Sequence, residues 1–353
     1  MISSTLTPSI SFGGHATDVG LSNLSNNFLY ASAVVLALAM LSFALDLAGH
    51  PGRVARAEER EAHRAAGTAS ASAAEGSGAT AAADGSGNTT VLERTAPAEG
   101  AIPAEKRQWA GIGMSLSWLG WLLLTACVFF RAASVGRPPL GNMYEFAIVG
   151  AFFVLSAFLV WSLKSDVRSL GIFVVGPTLL TEMLAALVFY TAASELMPSL
   201  KNYWLTIHVT VAILSVAFFT IAFSTTILYF VQKWREDIHD TKYRFMDAVP
   251  GSQVLDRTTY GLLIIAFPLW TFTLIAGAIW AQKAWGHYWT WDPKEVWTLV
   301  IWVVYAAYLH ARATAGWSGK KAAYLSLAGF ACVLFNFCVV NVFIVGMHSY
   351  SGM

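Results

Sequence analysis

Thirteen residues, 285 to 297, read W-G-H-Y-W-T-W-D-P-K-E-V-W and hold four tryptophans and a tyrosine between two long apolar runs. A single Trp at a membrane–water boundary is an ordinary anchor. Four around one short loop make a flat aromatic surface, which suits a flat apolar ligand or a packing partner. The second part, D-P-K-E, reads as a helix start: Asp292 as N-cap, Pro293 at the first helical position and Glu295 closing a capping-box-like pair. Helix capping accounts for these four residues and interface anchoring for one or two tryptophans. A planar ligand would account for Trp285, Trp289 and Trp291 together.

Histidine supplies the other chemistry. His15, His50, His63 and His239 fall in polar stretches and read as solvated, and His287 lies inside the aromatic loop. His208, His310 and His348 fall in apolar runs or at their ends. Taken singly, each such residue is more often a satisfied or snorkelling side chain than a ligand. Their placement along the spans adds to that. His208 follows Trp204 at the start of one apolar run and His348 ends another. The topology drawn below puts both at the membrane face of the tryptophan loop. Two imidazoles flanking an aromatic shelf suit bis-histidine ligation of a haem iron. His310 falls at the opposite face, about a membrane thickness away, and could serve only a second, inward site.

The elements that must position these groups are membrane helices. Hydrophobic residues make up 56% of the 353 and charged residues 12%, and the mean hydropathy is +0.56. That is too little charge for a dispersed soluble chain. Runs able to cross about 30 Å of hydrocarbon recur at 28–48, 109–130, 143–163, 170–190, 203–230, 258–282, 294–312 and 321–346. Backbone in lipid must satisfy its own hydrogen bonds, so these are helices. The fold class is all-α, a polytopic membrane protein with about eight transmembrane helices.

With the amino terminus outside, 17 of the 22 Lys and Arg lie in inner segments and five outside, and without the long 49–108 segment the ratio is still ten to five. That positive-inside bias puts the tryptophan loop and the carboxy terminus outside. The organisation expected is then an extracytoplasmic segment 1–27, a first helix 28–48, a cytoplasmic segment 49–108, a seven-helix domain 109–346 carrying the outer loop 283–293, and an extracytoplasmic segment 347–353. Residues 1–26 lack the basic stretch of a cleavable signal. Arg53 to Arg64 mixes charges at helical spacing and extends the first helix inward. Residues 66–104 are rich in Ala, Gly, Ser and Thr and read as a flexible linker. The inner segment 231–257 reads as a polar helical connector.

Cys127, Cys332 and Cys338 all fall in spans. With no C-x-x-C the chain is not a thiol–disulfide carrier, and with no C-x-x-C-H it holds no covalent haem of its own. Glu182 lies mid-span with no partner evident, and Glu145 at a helix start suits the helix dipole.

The stretch W-A-Q-K-A-W-G-H-Y-W-T-W-D-P-K-E-V-W, then Y-L-H-A-R, V-L-F-N-F and G-M-H-S-Y, resembles the haem-handling protein of System II cytochrome c biogenesis. This is the CcsA/ResC family, called CcsB in actinobacteria, with its tryptophan-rich WWD motif. N-M-Y-E-F at 142–146 and Y-W-L-T-I-H-V at 203–209 fit it too, and the likeness covers roughly 109–351. The resemblance implies transport of non-covalent haem b across the plasma membrane and its presentation outside for attachment to the CxxCH segment of apocytochrome c. It implies a ResB-type membrane partner and, indirectly, a thiol-reducing thioredoxin-like protein, and no nucleic acid. In such a synthase the chain acts as a subunit that positions haem, with no further catalytic group of its own. His208 and His348 match the outer iron ligands, and His310 matches a ligand for haem within the membrane. Trp285, Trp289, Trp291 and Asp292 belong to the presenting loop, while His287 has no matching role. Haem propionates need cations, and Arg131, Arg137, Lys283 and Lys294 are the outer candidates. Two other readings stay open: a haem chaperone that only loads another carrier, and a non-haem scaffold or transporter.

Overall fold

The computed structural model describes residues 17–75, 107–194, 196, 200–238 and 243–348. The side chains of 50–75 and Arg244 are outside that description. Most of the expected linker (76–104), most of the segment 1–27 and residues 349–353 lie outside the described residues.

Among the described residues, eight helices are long and apolar enough to cross a membrane, the last of them counted through to Phe343. They are α1 (Val19–Glu75), α2 (Gln108–Val135), α3 (Met143–Ser162), α4 (Gly171–Leu187), α5 (Tyr203–Asp237), α6 (Ser252–Trp285), α7 (Pro293–Thr314) and α8 (Lys320–Leu334). A π-helical turn, Phe335–Val340, and a last helical stretch, Asn341–Phe343, continue α8. No strand occurs among the described residues. The helix α1 runs further than expected, through ten residues read as linker. Their alanines favour helix over coil, which the low-complexity composition concealed. The 231–257 connector is taken up by the ends of α5 and α6 around a 3-10 turn, Arg244–Ala248.

Helix α1 packs along α2 and α4, α3 bridges α4 and α5, α5 pairs with α6, and α8 leans on α5 and α7. Small residues set the close approaches, as membrane packing requires. A Cβ on Gly120 of α2 would come within 2.5 Å of Leu36 of α1, and one on Gly329 of α8 within 2.7 Å of Tyr305 of α7. Among the described residues the buried apolar side chains gather in four clusters, two of which centre on Leu155, Phe158 and Val175 and on Phe219, Tyr305 and Tyr308. Phe219 and Tyr305 stack at 4.1 Å.

Two buried acids are paired across helices. Ser32 Oγ of α1 lies 3.0 Å from Glu182 Oε1 of α4 and 3.1 Å from the Gly120 carbonyl, and its one proton serves these two acceptors. The partner that the sequence did not reveal is therefore a serine one helix away. Glu145, fully buried, takes Arg131 at 3.1 Å and Arg137 at 2.8 Å. The same arginines donate to the Thr191 and Ser194 carbonyls, so this cluster ties α2, α3 and the loop after α4 together. An unpaired charge there would be costly, which is why one acid and two guanidiniums occur as a set.

Candidate functional site

The tryptophan loop is fixed at both ends by local chemistry. Gly286 ends α6 in the left-handed region (φ 81°) that glycine tolerates without penalty. Asp292 and Glu295 form a full capping box at the start of α7, with Pro293 at its first position. Glu295 also accepts from the Thr290 backbone N–H at 2.8 Å, pulling the loop down onto the helix. Trp291 is held at φ 61°, the only positive value among the described non-glycine residues, and is 72% exposed.

His208 is set by α5, whose start Asn202 caps by accepting from the Trp204 N–H. Its Nδ1 lies 3.0 Å from the Thr273 carbonyl of α6. A carbonyl only accepts, so Nδ1 carries the proton and Nε2 keeps the lone pair. Gly277 makes room for the ring: a Cβ there would stand 2.7 Å from His208 Cε1. His348 is set by Asp292, with Nδ1 2.9 Å from Oδ2. That bond likewise leaves Nε2 for a metal, in the manner of carboxylate-oriented ligands. Burial pushes the Asp292 carboxyl up, but hydrogen bonds from His348 and the Met347 N–H outweigh it and hold the group below the usual carboxylate range.

Trp280 packs against both imidazoles. It is 2% exposed, parallel to His208 at 6.1 Å and 5.7 Å from the His348 ring. Trp285 packs against both Trp280 (4.6 Å) and His348 (4.8 Å). Both histidines line one cavity of about 660 Å³, together with Trp280, Tyr288, Trp289, Lys294 and Asn336. The cavity continues along α5 from Leu205 to Phe223 between largely apolar walls, a length of roughly 27 Å at the helical rise. Its size and sparse polar groups are those of a site for a small apolar molecule. Lys294 is the cation in this wall, and its Nζ donates to the Asn336 carbonyl at 3.2 Å within the π-helical turn. Such turns mark functional positions in many helices.

The residues singled out from the sequence thus divide. His208, His348, Trp289 and Lys294 line the cavity; Trp285 and Asp292 support its walls from behind; Trp291 faces outward. Arg131 and Arg137 do not reach it. Their donors are engaged by Glu145 and loop carbonyls, which the sequence could not show because Glu145 read as a helix-start acid. His310 is exposed on the flank of α7, 16 residues from Lys294 and so about 24 Å along the helix. His287 is exposed and outside the cavity wall. Trp280 and Asn336 were missed. Trp280 lies inside an apolar run, where a tryptophan reads as packing; its position five residues before Trp285 was the available signal. Two imidazoles with free Nε2, aromatic walls and one cation fit a flat, iron-bearing, anionic macrocycle.

Comparison with known proteins identifies the family. The family model described as cytochrome C assembly protein matches residues 140–348. The cytochrome c biogenesis protein CcsA of Guillardia theta is 34% identical over 259 residues, covering 69% of this chain and 86% of that protein. The CcsA of Gloeobacter violaceus is 29% identical over 293 residues, covering 69% and 87%. A solved structure of the cytochrome c heme lyase CcmF superposes with a TM-score of 0.56 over 94% of this chain and 48% of that one. At 14% identity that likeness shows a shared fold. The chain belongs to the cytochrome c assembly protein family, in its CcsA/ResC branch, and its role lies in cytochrome c maturation.

Proposed function

We propose that the protein carries haem across the plasma membrane and presents it, bound by His208 and His348, on the extracytoplasmic side for attachment to apocytochrome c. The observation that carries this reading is the pair of imidazoles on one apolar cavity, each with Nδ1 already engaged and Nε2 left for iron. Haem b is the non-covalent cargo, and its vinyl groups supply the electrophile to which the two thiols of a CxxCH segment add.

The chain's own residues position and shield. Lys294 offers its ammonium to a propionate, a charge-assisted contact in an apolar wall. Trp289, Tyr288 and Trp280 cover the cavity at the level of the ligands and keep water off the iron. Trp291, exposed at the tip of the loop, is offered to the apocytochrome or to the ResB-type partner. His310, exposed towards lipid near the other end of α7, takes part in haem uptake together with a group from that partner. Holding both reactants in one geometry is the catalytic contribution, so the synthase works by orientation more than by proton transfer.

The test is direct. The full chain, purified in detergent with its partner from haem-replete cells, is expected to show a Soret band and to pass haem to a CxxCH peptide. A haem-loaded protein that cannot supply the peptide would make it a chaperone for another carrier. A protein without haem would leave a scaffold role.

A further inference from the structure

We propose that the two imidazoles play unequal parts: His348, docked by Asp292, is the ligand that the incoming histidine replaces, and His208 is the ligand that stays. This rests on the haem-presentation reading above. The two residues are mounted differently. His208 belongs to the second turn of a 35-residue helix. Its ring is hydrogen-bonded to the Thr273 carbonyl, parallel to Trp280, and so close to α6 that only glycine fits at 277. Leaving the iron would require α5 and α6 to separate.

His348 lies beyond Phe343, where helix ends, on a non-helical stretch 344–348. Its side chain is 20% exposed, and Val345 in the same stretch is 92% exposed. Two of the hydrogen bonds that fasten this stretch converge on one carboxylate: Met347 N–H to Asp292 Oδ1 at 2.6 Å, and His348 Nδ1 to Asp292 Oδ2 at 2.9 Å. The chain passes so near that a Cβ on Gly346 would stand 2.5 Å from Oδ1. Asp292 is itself immobile, since it caps α7. It is therefore a positioning residue that sets how firmly His348 is presented. The exchange is a simple substitution. The bond from His348 Nε2 to iron breaks, one from the incoming imidazole forms, and His348 departs neutral with Nδ1–H still shared with Asp292. No electron changes hands.

Imidazole titration of the haem-loaded full chain tests this, followed by haem retention and by the spin state of the iron. His348→Gly is expected to retain haem in a high-spin form that free imidazole returns to low spin. His208→Gly is expected to lose haem, with no recovery on adding imidazole, because its side of the site is closed by Trp280 and α6. Asp292→Asn is expected to lower the imidazole concentration for half-replacement by about tenfold or more, the usual scale for an outer partner of a metal ligand. Asp292→Glu should restore most of the difference. Gly346→Ala, which leaves both ligands and the carboxylate in place, should behave as Asp292→Asn does. Rescue of His208→Gly in place of His348→Gly would overturn the assignment. So would an unchanged titration in both Asp292→Asn and Gly346→Ala. Absence of haem from the unmodified protein would remove the underlying haem reading, and that result is seen before any variant is made.

Discussion

His208 and His310 make an instructive pair. Both are single histidines on transmembrane helices, and the local sequence distinguishes them little. His208 faces inward, with Nδ1 bound to a carbonyl and its ring beside a buried tryptophan. His310 is exposed on the flank of α7, and its backbone carbonyl accepts from Thr314 Oγ1. Tyr305 and Tyr308 of α7 are buried in the core with Phe219, while His310 on the same helix lies outside it.

Substitutions probe that contrast. The largest effect is expected from His208→Ala, which should abolish low-spin haem at the cavity, read from the optical spectrum. Gly277→Ala should come next. Its Cβ meets the His208 ring at 2.7 Å, and overpacking of this kind costs about 1–3 kcal/mol, seen as a lower thermal midpoint and reduced haem occupancy. The counterpart Ala307→Leu, on the exposed flank of α7, should change stability by no more than about 0.5 kcal/mol. Lys294→Met removes the cation from the cavity wall and should weaken haem binding by roughly 1.5–3 kcal/mol, the range for a charged hydrogen bond, in an equilibrium titration. His310→Ala should leave the spectrum of haem already bound at the cavity unchanged while lowering haem content in the complex with the partner. A spectrum altered by His310→Ala as strongly as by His208→Ala would erase the distinction.

The sequence made some of this legible and hid the rest for physical reasons. The eight spans follow from the solvent: lipid demands long apolar helices, and composition alone reveals them. The capping box at Asp292 and Glu295 was legible because both partners lie within one turn. Contacts between distant helices were not. Asp292 read as a cap, and its second role, holding His348 56 residues away, emerges only once α7 and the 344–348 stretch lie side by side. Arg131 and Arg137 read as free outer cations because the depth of Glu145 is a tertiary fact. Trp280 was missed because apolar surroundings in sequence do not distinguish a lipid-facing ring from one packed against two imidazoles.

The proposed function turns on one iron held by His208 and His348 together, and electron paramagnetic resonance of the ferric full chain reads that ligation. A low-spin bis-imidazole signal is expected in the unmodified protein, converted to a high-spin signal by His348→Gly and lost with the haem in the His208→Gly, His348→Gly double variant. A low-spin signal that survives in the double variant would overturn the ligand assignment.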